Sequence, residues 1–230
     1  MVRVRRDALW FSGARAYAEP LVALVLSFCA AIAFAKLGED VLSRDPLVVY
    51  DADVAGWFHA HAVHVVTGAM LLVSQLGSTH VVLAIALVAI GVLYVRGRRG
   101  DACLVALAVA GGEALDAVLK SEFARPRPHL SDPLATAHGF SFPSGHAMAS
   151  LTLYGALAYV AARGRDAAVA VAIGFAAVAL VVAIGISRVY LGVHYMSDVL
   201  AAWAAGAAWL GLCVAAVTGV RVYQRRSARR

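Results

Sequence analysis

Three short polar segments interrupt an otherwise apolar chain: KSEFARPRP at 120–128, PSGH at 143–146 and SRVYLGVHYMSD at 187–198. Lys120 and Arg127 stand seven residues apart with Pro126 between them, so the chain has left any helix before Arg127 and can fold back. Both side chains can then reach one anion. Arg188 supplies a third fixed cation, and three such donors match the charge and planar equatorial oxygens of a phosphoryl group in transfer. Each cation alone reads equally well as a headgroup-snorkelling side chain, but the trio does not. Pro143-Ser144-Gly145-His146 precedes an apolar run, placing free backbone amides and a positive helix end beside a residue without a side chain. Ser144 adds a hydroxyl donor, Gly145 lets the backbone approach closely, and His146 stands where it can protonate a departing oxygen. By itself this tetrapeptide is more simply a helix cap. His194 and Asp198 are four apart, which on a helix puts them on one face, where a carboxylate can fix the imidazole tautomer and leave the other ring nitrogen nucleophilic.

These residues need elements to hold them, and the composition says which. The 230 residues are 62% apolar, with 20 Lys and Arg against 14 Asp and Glu. Long runs without charge, rich in Ala, Val and Leu and lacking two-residue alternation, predict membrane helices rather than a β-barrel. The net charge of +6 is no sign of nucleic acid, because the cations fall in short clusters between the apolar runs and act as topology signals. Arg3, Arg5, Arg6 and Arg15, then Arg96, Arg98 and Arg99, then Arg163 and Arg165, then Arg221, Arg225, Arg226, Arg229 and Arg230 make up fourteen of the twenty. If all face the cytoplasm, the spans are about 20–37, 79–96, 102–119, 146–162, 167–186 and 198–220, with both termini inside. The expectation is an all-α polytopic membrane protein of six transmembrane helices, one domain over 1–230, with an extracytoplasmic loop. Residues from about 51 to 76 then form an interfacial helix capped by Asp51 or Asp53; a seventh span there is the competing reading.

The six remaining cations are Lys36, Arg44, Lys120, Arg125, Arg127 and Arg188. Four gather at the outer ends of the third and fifth spans, where the orientation rule disfavours them, and that points to a bound anion. Several residues are accessory candidates. Arg125, in a second Arg-Pro pair, can widen the basic rim, while Glu113 and Asp116 inside the third span can orient Lys120 or a neighbouring helix. His59, His61 and His64 have metal-ligand types, but beside Trp57 and Phe58 they read more simply as interfacial residues. No metal site is expected. Cys29, Cys103 and Cys213 read as buried thiols without redox or zinc roles. Gly111, Gly112, Gly174, Gly185, Gly206 and Gly211 are expected to permit close helix contact. The 25-residue stretch Ser121–Gly145, with four prolines and the unassigned His129 and His138, is expected at the mouth of the site.

In order and spacing the three polar segments resemble the signature of the type-2 phosphatidic acid phosphatase superfamily, K-x6-RP, PSGH and SR-x5-H-x3-D, at every defined position. The resemblance covers Lys120 to Asp198, the motif core, and the helix pattern extends it over most of the chain. That superfamily holds membrane lipid phosphatases, soluble acid phosphatases and vanadate-dependent haloperoxidases. The resemblance implies catalysis by His194, His146 and Asp198, with Lys120, Arg127, Ser144, Gly145 and Arg188 binding phosphate. It also implies a phosphohistidine intermediate and no cofactor, the cationic and amide donors doing what magnesium does in other phosphoryl-transfer enzymes.

The expected activity is hydrolysis of a lipid phosphate or diphosphate, such as undecaprenyl diphosphate, phosphatidylglycerophosphate or phosphatidate, at the outer face of the cytoplasmic membrane. The expected partners are that substrate and membrane lipids, without nucleic acid. Two other classes compete. A transporter or channel would explain intramembrane Glu113 and Asp116, yet no pair of Gly- or Pro-broken spans repeats between the halves. A haloperoxidase would use the same anion site for vanadate, yet such family members are soluble.

Overall fold

The computed structural model describes residues 4–43, 46–129 and 134–228, and the side chains of residues 17–43, 48–129 and 134–228. The side chains of the amino-terminal arginines, Arg44, and the final pair Arg229 and Arg230 lie outside the described set. The described residues form eight helices and no strand: α1 (Val4–Ser43), α2 (Pro46–Ala60), α3 (His64–Gln75), α4 (Thr79–Val95), α5 (Arg99–Phe123), α6 (Gly145–Ala162), α7 (Ala167–Tyr190) and α8 (Met196–Ser227).

The apolar residues are arranged inside out relative to a water-soluble bundle. Val25, Leu26 and Phe28 of α1, Leu87 and Val88 of α4 and Val171, Phe175 and Val178 of α7 all face outward, the belt that hydrocarbon requires. Helices α1, α5, α7 and α8 are each long and apolar enough to cross a membrane, and α3 with α4 makes a fifth such unit, bent by 45°. The remaining expected span, α6, runs through the middle and packs on α4, α5, α7 and α8. Leu153 and Ala156 of α6 meet Leu104, Val105 and Ala108 of α5 in a core that also takes Val82 and Ala86 of α4 and Cys213 and Val214 of α8. Small residues let these helices close. A Cβ on Gly111 would lie 2.1 Å from the Trp209 indole, and one on Gly185 2.3 Å from that of Trp203. Gly174 differs from the expectation: nothing lies near it, and it sits on a lipid-facing surface. Cys29 and Cys103 are likewise exposed on outer helix faces rather than buried, and all three thiols are free.

The region expected as one helix from 51 to 76 is two. It begins upstream at Pro46, whose missing N–H suits a first helical turn, and it breaks at His61–Val63 between α2 and α3. Neither Asp51 nor Asp53 therefore caps this segment: both are interior to α2, and Asp51 is only 2% exposed. Tyr50 and Trp57 of α2 remain exposed, as suits aromatic rings at a headgroup boundary. His61 stacks on Trp57 at 4.6 Å between ring centroids, and no metal-binding group of three or more His, Cys, Asp or Glu occurs among the described residues.

One end of the bundle gathers the charged turns. Asp101, 5% exposed, accepts from Arg98 Nε at 2.7 Å, Arg163 Nη1 at 2.8 Å and Arg221 Nη2 at 2.6 Å. The α4–α5 turn, the α6–α7 turn and the last part of α8 thus share one side, as the arginine clusters predicted. The three signature segments are at the other end.

Candidate active site

Helix α5 stops where Ala124 turns left-handed at φ 43°. Pro126 and Pro128 then keep the chain extended, and the segment 125–128 runs back over the bundle end. In the last turn of α5, Lys120 Nζ donates to both Asp116 carboxylate oxygens at 2.6 Å and to the Pro143 carbonyl at 2.8 Å. Asp116, one turn below, holds the ammonium beside the start of α6. Glu113, another turn down, is half-buried and does not line the cavity described next.

That cavity, of about 580 Å³, is walled by Lys120, Arg127, Gly145, His146, Arg188 and His194 together with Asp116, a volume suited to a small polar headgroup. The three separated cations, both signature histidines and the glycine at the α6 amino terminus therefore face one space. Ser144 does not line it. It is the residue before the first turn of α6, its amide donates to the Asp198 carbonyl at 3.1 Å, and its buried hydroxyl has no partner. Gly145 at the α6 amino terminus thus faces the cavity, with Ser144 just behind the wall.

Arg127 is fixed by carbonyls. Its Nε donates to Gly139 O at 3.0 Å, Nη2 to His138 O at 3.0 Å and Nη1 to Val193 O at 2.8 Å. Nη1 also stands 3.1 Å from His194 Nε2. Arg188, 7% exposed, donates from Nη1 to Ser74 Oγ at 2.6 Å, while its buried Nε has no partner. Ser74 comes from α3 and carries no sequence signal, since a serine in an apolar helix is ordinarily back-bonded to its own turn. The cavity wall next to it, Gln75, Ser78 and Thr79 at the α3–α4 corner, was equally unannounced.

His194 lies in the short connection between α7 and α8 and is 2% exposed. Its Nδ1 is 2.8 Å from the Ser141 carbonyl and 3.4 Å from Asp198 Oδ2. Both neighbours accept, so the proton resides on Nδ1 and the Nε2 lone pair faces the cavity cations. Burial pushes the ring's pKa down to about 4, with Asp198 opposing and the Arg127 and Arg188 guanidiniums reinforcing the shift. The imidazole is neutral near pH 7, as a nitrogen nucleophile must be.

Asp198 is fully buried. Its Oδ2 accepts the Tyr195 amide at 2.9 Å and its Oδ1 accepts Arg125 Nη1 at 2.6 Å. Arg125 therefore does not widen the basic rim: it is 10% exposed, faces away from the cavity and also donates from Nη2 to Asp51 Oδ2 at 2.9 Å. A guanidinium beside two buried carboxylates is more stable there than in a cavity already holding three cations. Asp51 and Ser197 close this cluster; the sequence pointed to Asp51 only as a helix cap and to Ser197 not at all.

The chain is similar to known proteins. The family model described as PAP2 superfamily matches residues 101–221, more than half of the chain. Phosphatidylglycerophosphatase B of Bacillus subtilis is 33% identical over 141 residues, which span 58% of this chain and 66%, just under two thirds, of that protein. A crystal structure titled as the first transmembrane PAP2 type phosphatidylglycerolphosphate phosphatase from Bacillus subtilis superposes with a TM-score of 0.74 at 25% identity, covering 86% of this chain and 96% of that one. Aquifex aeolicus LpxE has the same fold at a TM-score of 0.56 and 22% identity, over 74% and 94% of the two chains. With the family model spanning α5 to α8, the helices that carry Lys120, His146, Arg188 and Asp198, the chain belongs to the PAP2 superfamily.

Proposed function

We propose that this protein hydrolyses a lipid phosphate or lipid diphosphate through a phosphohistidine on His194. The observation that carries the reading is the His194 Nε2 lone pair facing a cavity walled by Lys120, Arg127 and Arg188. Nε2 attacks phosphorus in line as the P–O bond to the lipid breaks, and His146, protonated when the phosphoryl dianion offsets the cations around it, gives its proton to the departing oxygen. Arg127 Nη1 passes from Nε2 to a phosphoryl oxygen, while Arg188, Lys120 and the Gly145 amide take the other oxygens. Asp198, with the Ser141 carbonyl, stabilises the positive ring that forms. Water then attacks phosphorus, His146 takes its proton, and the P–N bond breaks to return free His194 and phosphate.

The name of the Bacillus relative favours phosphatidylglycerophosphate as substrate; phosphatidate and undecaprenyl diphosphate carry the same reacting group. Chain 1–230 works as one domain in the cytoplasmic membrane. The Asp101 end, with its arginines, faces inward along with both termini, and the cavity end faces outward. Phosphate release in detergent with EDTA present, from those three substrates in parallel, tests the reading. Release from at least one is expected, and His194→Ala should abolish it while the protein keeps its thermal midpoint. Full activity of His194→Ala would refute the phosphohistidine.

A further inference from the structure

Behind His194 lies a buried charge cluster that joins two of the signature segments to Asp51 of α2. Asp198, Arg125 and Asp51 are 0%, 10% and 2% exposed at their side chains. Asp51 Oδ1 accepts the Ser197 amide at 3.0 Å, its Oδ2 accepts the Ser197 hydroxyl, and Arg125 Nη1 donates to Ser197 Oγ at 2.7 Å. The Tyr195 ring covers the guanidinium at 4.2 Å. Two carboxylates and one guanidinium sum to one negative charge. A buried excess charge is expensive unless something answers it, and the only other ion-pair neighbour of Asp198 among the described residues is His194.

We propose that Asp51, on α2, is a positioning residue for His194: by sharing Arg125 it leaves the charge of Asp198 available to the imidazolium formed when His194 takes a phosphoryl group. This rests on the phosphohistidine reading. Without Asp51, Arg125 cancels Asp198 outright, and the positive ring meets a neutral cluster. With it, the resting enzyme holds one negative charge beside a neutral ring, and the pair becomes neutral in the intermediate. The stabilisation therefore grows along the reaction coordinate, and kcat rather than KM depends on it. Asp51 also ties α2 to the first turn of α8, so a purely tethering role is the competing explanation.

Four variants separate the outcomes. Asp51→Asn keeps the shape and loses the charge; about a tenfold fall in kcat is expected, with KM within about twofold and a slower burst of acid-labile phosphohistidine. Asp51→Asn with Arg125→Gln leaves Asp198 alone to face His194 with one negative charge, and should exceed Asp51→Asn in kcat. Ser197→Ala removes the hydroxyl bond of the tether, leaves the backbone amide bond and keeps every charge, so its kcat should stay within about twofold of wild type. His194→Ala guards the premise. Activity in His194→Ala would overturn the phosphohistidine reading and this proposal together. Wild-type kcat in Asp51→Asn beside an inactive His194→Ala would overturn this proposal alone. Equal losses in Ser197→Ala and Asp51→Asn, or a thermal midpoint that falls in step with kcat across the series, would mean that Asp51 is only a tether and would also overturn it.

Discussion

Removing one hydroxyl 114 residues away in sequence from Arg188 should slow the enzyme. Ser74 Oγ accepts Arg188 Nη1 at 2.6 Å, Ser74 is 3% exposed, and the Nε of the same guanidinium has no partner. The hydroxyl is therefore a fixed point aiming this cation. A hydrogen bond to a charged group contributes about 1.5–3 kcal/mol. If all of it were lost only in the transition state, kcat would fall about tenfold to 150-fold. Arg188 retains its place in α7, so the lower part of that span applies, about tenfold to thirtyfold for Ser74→Ala. The loss should fall on kcat, because the guanidinium meets the most charge when the phosphoryl oxygens are planar and in transfer. Steady-state phosphate release in detergent from the lipid phosphate that the wild type turns over measures it, with Ser74→Thr as the variant that keeps the hydroxyl and recovers most of the rate. A Ser74→Ala enzyme within twofold of wild type, alongside an inactive Arg188→Ala, would show that α3 does not aim this arginine.

The remaining predictions concern protons and the opposite end of the bundle. Ring NMR of His194 should show a titration near pH 4 rather than 6.5, with the proton on Nδ1 in the neutral form; a midpoint near 6.5 would refute the buried neutral nucleophile. Since the folded value lies below the unfolded one, the unfolded chain takes up this proton first. Stability from this group is intact above about pH 6.5, falls as the pH drops, and stops falling below about 4. Asp101→Asn should cost about 2 kcal/mol or more by leaving three arginines without their shared acceptor, seen as a lower thermal midpoint with kcat of the folded fraction unchanged; an unaltered midpoint would show that the cluster adds nothing.

The apolar runs announced the spans because hydrocarbon imposes a length and forbids exposed backbone. The signature residues were legible because each carries a charge or a ring where a membrane protein ordinarily has neither. Lys120, Arg127, Arg188, His146 and His194 do converge on one cavity, and Asp198 stands behind His194. What failed to show were contacts whose members look ordinary in one dimension. Asp51 read as a helix cap because an aspartate before an apolar run often is one; its partner Arg125 lies 74 residues on. Ser74 sits in an apolar helix and is ordinary until α3 meets α7. The break at His61–Val63 was hidden because no proline or glycine marks it. Arg125 misled through resemblance of type, being an Arg-Pro pair two residues from the one that reaches the cavity.

What separates the cations of the cavity from those elsewhere is the chemistry of their partners. Arg98, Arg163 and Arg221 share one carboxylate, and Arg125 holds two. The charge of Arg125 is thereby answered within the fold, and such a pairing fixes geometry without attracting a further anion; the Asp101 group keeps two positive charges, at the end away from the signature segments. Arg127 is held by three backbone carbonyls and Arg188 by a hydroxyl. Neutral acceptors hold a guanidinium in place without cancelling its charge, so both remain able to bind an anion while already immobile. Lys120 is the exception, paired with Asp116, and the exception has a use. Three cations and one carboxylate line the cavity, leaving two positive charges, the number that a phosphate monoester dianion neutralises. A cavity with all three charges unanswered would hold the product phosphate as firmly as the substrate, and turnover requires that phosphate leave.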